Sequence, residues 1–214
     1  MNTLTYYTNP QSRGRIAHWM MEELGEPYDT VWMDFGAALQ SPDYRALNPM
    51  GKVPALRDRG SAGDVVVTEA AAICAYLADR FPDKGLAPPQ GSPARAAYFR
   101  WMFFTAGPLE MATTAKALGW AVPEGRSVMV GFGSYERTMD ALEIALQPGP
   151  FVCGGQFSAA DVVLGSALGW GLMFGTVEQR PAFAAYVGRL QQRPAFQRAN
   201  ALNEARLAQG GPKA

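Results

Sequence analysis

Hydrophobic and polar positions change their rhythm near residue 82. Before it, short β-branched and aromatic runs alternate with helical spacing. Thr3 to Thr8 (TLTYYT) and Tyr28 to Met33 (YDTVWM) predict strands. Between them, Ile16 to Leu24 has helical periodicity, a stop at Gly25 and Pro27 beyond. Ala55 to Asp58 and Val65 to Thr68 are two more short strands, joined through Arg59-Gly60-Ser61-Ala62-Gly63-Asp64 as a hairpin-like loop. Glu69 to Phe81 is alanine-rich and helical, and Pro82 stops it because its ring cannot continue a helix. The predicted order is strand, helix, strand, irregular segment, strand, strand, helix.

From Pro82 to Pro93, four prolines and two glycines fall within twelve residues, a composition that continues neither structure. Everything after it reads as helix: Ala94 to Leu118, Arg126 to Leu146, Ser158 to Phe174, Glu178 to Gln191 and Ala195 to Leu207. No internal repeat appears. The pattern predicts an α/β domain over 1–82, a linker over 83–93 and an all-α domain over 94–214.

Length and charge narrow the function classes. The 214 residues suit one large domain or two small ones. Nineteen basic and nineteen acidic residues cancel, and a neutral chain is poorly suited to tracking a phosphate backbone. Locally the balance runs −4 over residues 1–83, zero over 84–177 and +4 over 178–214. Arg180, Arg189, Arg193, Arg198 and Arg206 are spaced as a solvated helical face, without the interleaved aromatics of a nucleic-acid surface.

The reactive inventory is thin. One histidine (His18) and two cysteines (Cys74, Cys153) leave little for a triad or a zinc site, so no metal is expected. The cysteines lie far apart in apolar sequence, as buried thiols of a reducing, cytoplasmic compartment do. Met1 to Arg15 lacks the apolar core of a signal peptide. Val162 to Val177 is 16 residues long, against roughly 20 for a spanning helix. It follows Ser158-Ala159-Ala160-Asp161, a capping signature of a soluble helix, so its two Gly-xxx-Gly pairs are not read as a membrane motif.

Three loops carry candidate chemistry. In Lys52-Val53-Pro54-Ala55, the proline before a strand is ordinarily a trans turn residue. A cis bond there would turn the Val53 backbone toward a ligand. At Glu69-Ala70 the chain passes from strand to helix, and the free N–H groups form an anion site. Glu69 beside it suits a ligand bearing both an amine and a carboxylate, or simply favours the first turn of its own helix. In Tyr6-Tyr7-Thr8-Asn9-Pro10-Gln11-Ser12-Arg13-Gly14-Arg15, Ser12 is a natural N-cap whose hydroxyl could also donate to a thiolate.

Taken together, these loops resemble the cytosolic glutathione S-transferase family along the whole chain, and its serine-type bacterial members in particular. The residues that carry the resemblance are the serine loop with Trp19 and Glu22-Glu23-Leu24-Gly25-Glu26-Pro27 behind it, Asn48-Pro49-Met50-Gly51-Lys52-Val53-Pro54, Glu69-Ala70-Ala71-Ala72-Ile73, and Phe157-Ser158-Ala159-Ala160-Asp161. The last looks like the family's capping box and hydrophobic staple, a folding signature. The resemblance implies a thioredoxin-like first domain that binds glutathione as co-substrate and a helical domain that supplies most of the electrophile pocket.

By that resemblance Val53 pairs its backbone with the cysteinyl part of glutathione, Pro54 being cis. Glu69 and the N–H of Ala70 hold the γ-glutamyl end, and Lys52 meets the glycyl carboxylate. Ala70 departs from the family, which often has a serine there, and this implies weaker glutathione affinity. Ser12 is the expected hydroxyl donor to the sulfur, with Tyr7 as its rival and Asn9 a third candidate. Phe35, Trp101, Phe103, Phe104, Met111, Trp120 and Phe174 are either core or walls of an apolar acceptor site. His18 is expected to have a surface or packing role.

The implied activity is conjugation of glutathione to small apolar electrophiles, a detoxification reaction, by a cytoplasmic homodimer. Glutathione-dependent peroxidase, reductase, isomerase or dehalogenase chemistry is the alternative on the same fold. A non-catalytic interaction module is the other.

Overall fold

The computed structural model describes residues 2–60 and 63–210. Ser61 and Ala62, within the expected hairpin loop, lie outside the described residues, as do Met1 and 211–214. The chain forms two compact units, residues 1–84 together with 192–214, and residues 85–191.

The first unit begins with β1 (Leu4–Thr8), α1 (Gly14–Leu24) and β2 (Tyr28–Trp32). Two short helices follow, α2 (Ala37–Gln40) and α3 (Pro42–Leu47), where an irregular segment was expected. Their signal is Ser41-Pro42: the Ser41 hydroxyl accepts the N–H of Tyr44 and Pro42 opens the helix, where its missing N–H costs nothing. Then come β3 (Ala55–Asp58), β4 (Val65–Thr68) and α4 (Ala70–Arg80).

The sheet order is β2-β1-β3-β4, with β1 and β2 parallel and the other two pairs antiparallel. Side chains alternate across it. On one face, Leu4, Tyr6 and Leu56 are buried, and α1 and α4 pack against each other. On the other, Ala55 packs with Leu39 and Tyr44 of α2 and α3. The sequence thus yields the α/β layer that the pattern predicted.

The last helix, α10 (Pro194–Ala208), belongs to this unit, where the sequence boundary had placed it in the helical domain. Its partner is α1. Arg193 pairs with Glu23 at 2.6 Å and Arg198 with Glu22 at 2.9 Å. Arg15 of α1 pairs in return with Glu204. Phe196 meets Trp19 edge-on at 5.1 Å. Arg193 and Arg198 of the expected solvated face are thus ion-paired to α1, and Arg198 remains exposed. Near the basic end, these two residues meet Glu23 and Glu22 of the acidic start within this unit.

The second unit holds α5 (Pro93–Phe104), α6 (Glu110–Leu118), α7 (Tyr135–Leu146), α8 (Ala159–Phe174) and α9 (Pro181–Gln191). The single helix expected over 94–118 is interrupted by a π-helical turn, Thr105–Leu109, that contains Pro108. A proline removes one ladder bond and crowds the carbonyl four residues back, and the wider π turn makes room for it. The helix expected from Arg126 starts only at Tyr135. Gly131 and Gly133 precede it, and Ser134 caps it through the N–H of Arg137 at 3.2 Å.

At the start of α8, Asp161 is fully buried and accepts from Val152 N, Ser158 N and Tyr186 Oη at 2.8–2.9 Å. The capping box is in place, and Phe157 and Val162 on either side of it are buried. No helix among the described residues is long and apolar enough to cross a membrane.

Candidate glutathione site

Strand register brings the three candidate loops of the first unit together. Tyr7 pairs with Ala55, and Ala55 pairs with Thr68. The loop leaving β1, the turn entering β3 and the junction leaving β4 therefore share one end of the sheet. Ser12, Val53-Pro54 and Glu69-Ala70 are all at that end.

The β3 approach is built by Asn48, which is buried. Its side-chain amide donates to Lys52 O at 2.7 Å, and its Oδ1 accepts from Met50 N at 3.1 Å. Tyr44 also donates its hydroxyl to Lys52 O at 2.7 Å, and burial pushes the Tyr44 phenol up to about 12, so it stays a donor. Gly51 adopts φ 60°, and a β-carbon there would lie 2.9 Å from Leu39 O, so the position requires glycine. With the Lys52 carbonyl fixed, the Val53–Pro54 bond is cis. Among the described residues, neither the N–H nor the C=O of half-buried Val53 has a hydrogen-bond partner. The Lys52 side chain is exposed.

The β4–α4 junction contains the only non-glycine residue with positive φ among the described residues. Glu69 sits at φ 68°, ψ 124°, a conformation that costs roughly 1–3 kcal/mol and persists where the surroundings enforce it. Its carboxylate makes no capping hydrogen bond to α4. Exposed and without an ion-pair partner among the described residues, it stands beside the open N–H groups of the α4 first turn.

The β1–α1 loop presents Ser12, half-buried. Its Oγ accepts the N–H of Gly14 at 2.9 Å and donates to Asn9 O at 2.7 Å, so it does serve the start of α1, one position before the formal cap. Asn9 is fully buried; its Nδ2 donates to Met33 O at 2.7 Å and its Oδ1 accepts Gln11 N at 2.8 Å. Tyr7 points to the opposite face of the sheet from α1. Its ring packs on Tyr44 at 5.9 Å and its hydroxyl lies beside the Arg57 guanidinium.

Family models match both parts of the chain: the glutathione S-transferase N-terminal domain over residues 13–80 and the glutathione S-transferase C-terminal domain over residues 54–189. The chain belongs to the glutathione S-transferase family. It is 29% identical over 195 residues to Glutathione S-transferase GstA of Escherichia coli O157:H7, covering 89% of this chain and 94% of that relative. A glutathione transferase structure from Methylococcus capsulatus superposes with a TM-score of 0.75 at 28% identity, covering 94% of this chain and 99% of that one. A homologue from Sulfitobacter, solved with bound glutathione, gives 0.74 at 28% identity with the same coverage. Named transferases among its relatives place this family member with the enzymes rather than with non-catalytic modules.

Of the seven apolar side chains singled out for the acceptor site, Trp101 is core, with 5% of its surface exposed. Phe104 is half-buried, packed edge-on against Trp101 at 5.2 Å. Phe35, Phe103, Met111, Trp120 and Phe174 are exposed. Trp120 lines a cavity of about 650 Å³ in the second unit with Phe132 and Tyr135. Both cysteines are free, and burial raises both thiols, Cys153 to about 11. Neither is a ready nucleophile.

Proposed function

We propose that this transferase binds glutathione at the shared sheet end and activates its thiol for attack on small apolar electrophiles. The observation that carries the reading is the meeting of three unpaired groups of complementary chemistry. Val53 offers a free backbone donor and acceptor for the cysteinyl residue. Glu69 and the α4 N-terminus offer an anion and a row of N–H donors for the γ-glutamyl ammonium and carboxylate. Lys52 offers a cation for the glycyl carboxylate.

Ser12 is the proposed donor to the sulfur. A free thiol titrates near ~8.5, so only a few per cent is ionised at neutral pH. A hydroxyl and a helix N-terminus beside the sulfur stabilise the anion, and its proton leaves to solvent. The sulfur then forms the new C–S bond. In a substitution the leaving group departs with its electron pair; in an addition the resulting carbanion takes a proton from water. Tyr7 is disfavoured because its ring is turned onto Tyr44, on the face away from α1. Asn9 is disfavoured because both ends of its amide are already bonded.

Homodimer assembly belongs to the same proposal. The exposed Phe99 and Phe103, one turn apart on α5 with ring centroids 6.5 Å apart, support a self-association surface. Turnover with a model electrophile tests the catalytic assignment. Ser12→Ala is expected to lower it more than Tyr7→Phe does; full activity in Ser12→Ala with loss in Tyr7→Phe would overturn the choice.

A further inference from the structure

The loop from β1 into α1 hangs on one buried side chain. Asn9 closes a turn in which its own carbonyl accepts both the Ser12 N–H at 3.1 Å and the Ser12 hydroxyl at 2.7 Å. Its amide pins that turn from two sides. Oδ1 takes the Gln11 N–H inside the loop, and Nδ2 reaches Met33 O just beyond β2. The neighbouring Thr8 carbonyl accepts the Met33 N–H at 2.8 Å, so the two strand ends are tied twice. Asn9 has no accessible surface, and the bonds it makes through Oδ1 and Nδ2 both hold the loop.

We propose that Asn9 is a positioning residue that sets the Ser12 hydroxyl for the glutathione sulfur. The inference rests on the reading of Ser12 as the sulfur's donor. Two features of the geometry give it mechanism. The Gly14 N–H donates to Ser12 Oγ, which polarises the hydroxyl and makes it a stronger donor. The hydroxyl proton rests on the Asn9 carbonyl until a better acceptor arrives. When it turns to a thiolate, that carbonyl still holds the Ser12 N–H, so no buried acceptor is orphaned. Asn9 thus fixes the place of Ser12 Oγ and lets its proton go at little cost. Without the Asn9 amide, Gln11 N and Met33 O lose their partners and the Ser12 rotamer is no longer set.

The thiolate absorbance of glutathione bound to the full-length protein, followed against pH, reads the effect. Asn9→Ala is expected to raise the thiol pKa in the complex by about half to one unit, and to lower kcat more than it raises KM for glutathione. Asn9→Ser, whose hydroxyl can still accept the Gln11 N–H as a turn, is expected to restore part of the shift and guards against a misfolded alanine variant. In the Ser12→Ala background the Asn9 substitutions are expected to add no further shift, because they act through Ser12. A raised pKa in Ser12→Ala with an unchanged one in folded Asn9→Ser and Asn9→Ala would overturn the positioning role alone. An unchanged pKa in Ser12→Ala itself would overturn the reading of Ser12 beneath it.

Discussion

Nδ2 of Asn203 in α10 lies 2.9 Å from Nδ1 of His18 in α1, and both residues are buried. The same Nδ2 donates to Ala199 O, so His18 Nδ1 accepts. Its Nε2–H then faces the Tyr28 hydroxyl at 3.0 Å, and Tyr28 donates to Glu22 at 2.6 Å. This chain of bonds uses the neutral imidazole, and burial lowers the His18 pKa below its ordinary 6.5. The unfolded chain therefore binds the proton more readily than the folded one. The stability that the neutral ring contributes is complete above pH ~6.5 and is lost as pH falls from there toward the folded value. Thermal midpoints are expected to drop between pH 7.5 and 5.5, and the drop is expected to shrink in His18→Gln. An equal slope in both proteins would refute the assignment.

Gly14 is held between two hydroxyls. A β-carbon there would collide with Oγ1 of fully buried Thr8 and lie 2.9 Å from Ser12 Oγ. Neither neighbour can retreat cheaply, since Ser12 is bonded on both sides and Thr8 sits inside the sheet. Gly14→Ala is expected to destabilise by about 1–3 kcal/mol through overpacking and to lower turnover by displacing Ser12. Chemical denaturation and model-electrophile kinetics together check both halves.

Asp161 is the most heavily bonded buried carboxylate of the second unit. Asp161→Ala leaves Val152 N, Ser158 N and the Tyr186 hydroxyl unpaired at once, and a loss of about 3–5 kcal/mol is expected. Asp161→Asn keeps acceptor capacity and is expected to lose less. Urea midpoints of the two variants decide the order.

Ala70 opens α4 without a hydroxyl. Ala70→Ser adds a donor at the anion end of the site, and glutathione affinity is expected to rise about 2- to 10-fold, the equivalent of one net hydrogen bond. Calorimetric affinities of the two proteins, measured side by side, read it.

Much of this architecture is legible in local signals. The four strands, the Gly25 stop and the Ser158–Asp161 cap each follow from a few adjacent residues. The parts that are not legible depend on distant contacts or on weak local choices. α10 reads as one more helix of the second unit, because the residues that draw it to the first, Arg15, His18, Trp19, Glu22 and Glu23 of α1, lie some 170 to 190 residues earlier. Pro108 announces an interruption but not that a π turn absorbs it. Ser134 is a capping residue inside a stretch that reads as one longer helix. At the candidate site, the family resemblance points to Val53, Pro54 and Glu69. It does not tell that Glu69 takes positive φ, nor that Asn9 turns its amide inward while Tyr7 turns to the far face, since a loop's hydrogen-bond pattern follows from what packs around it.

Calorimetric titration of the full-length protein with reduced glutathione, repeated with Glu69→Gln at matched folded fraction, tests the glutathione site most directly. Expected is saturable binding at one site per chain in the intact protein, weakened by tenfold or more in the variant, which loses about 1.4 kcal/mol or more of an anion's attraction for the γ-glutamyl ammonium. No heat at millimolar glutathione, or equal affinity in the two proteins, would contradict the placement of the tripeptide at this end of the sheet.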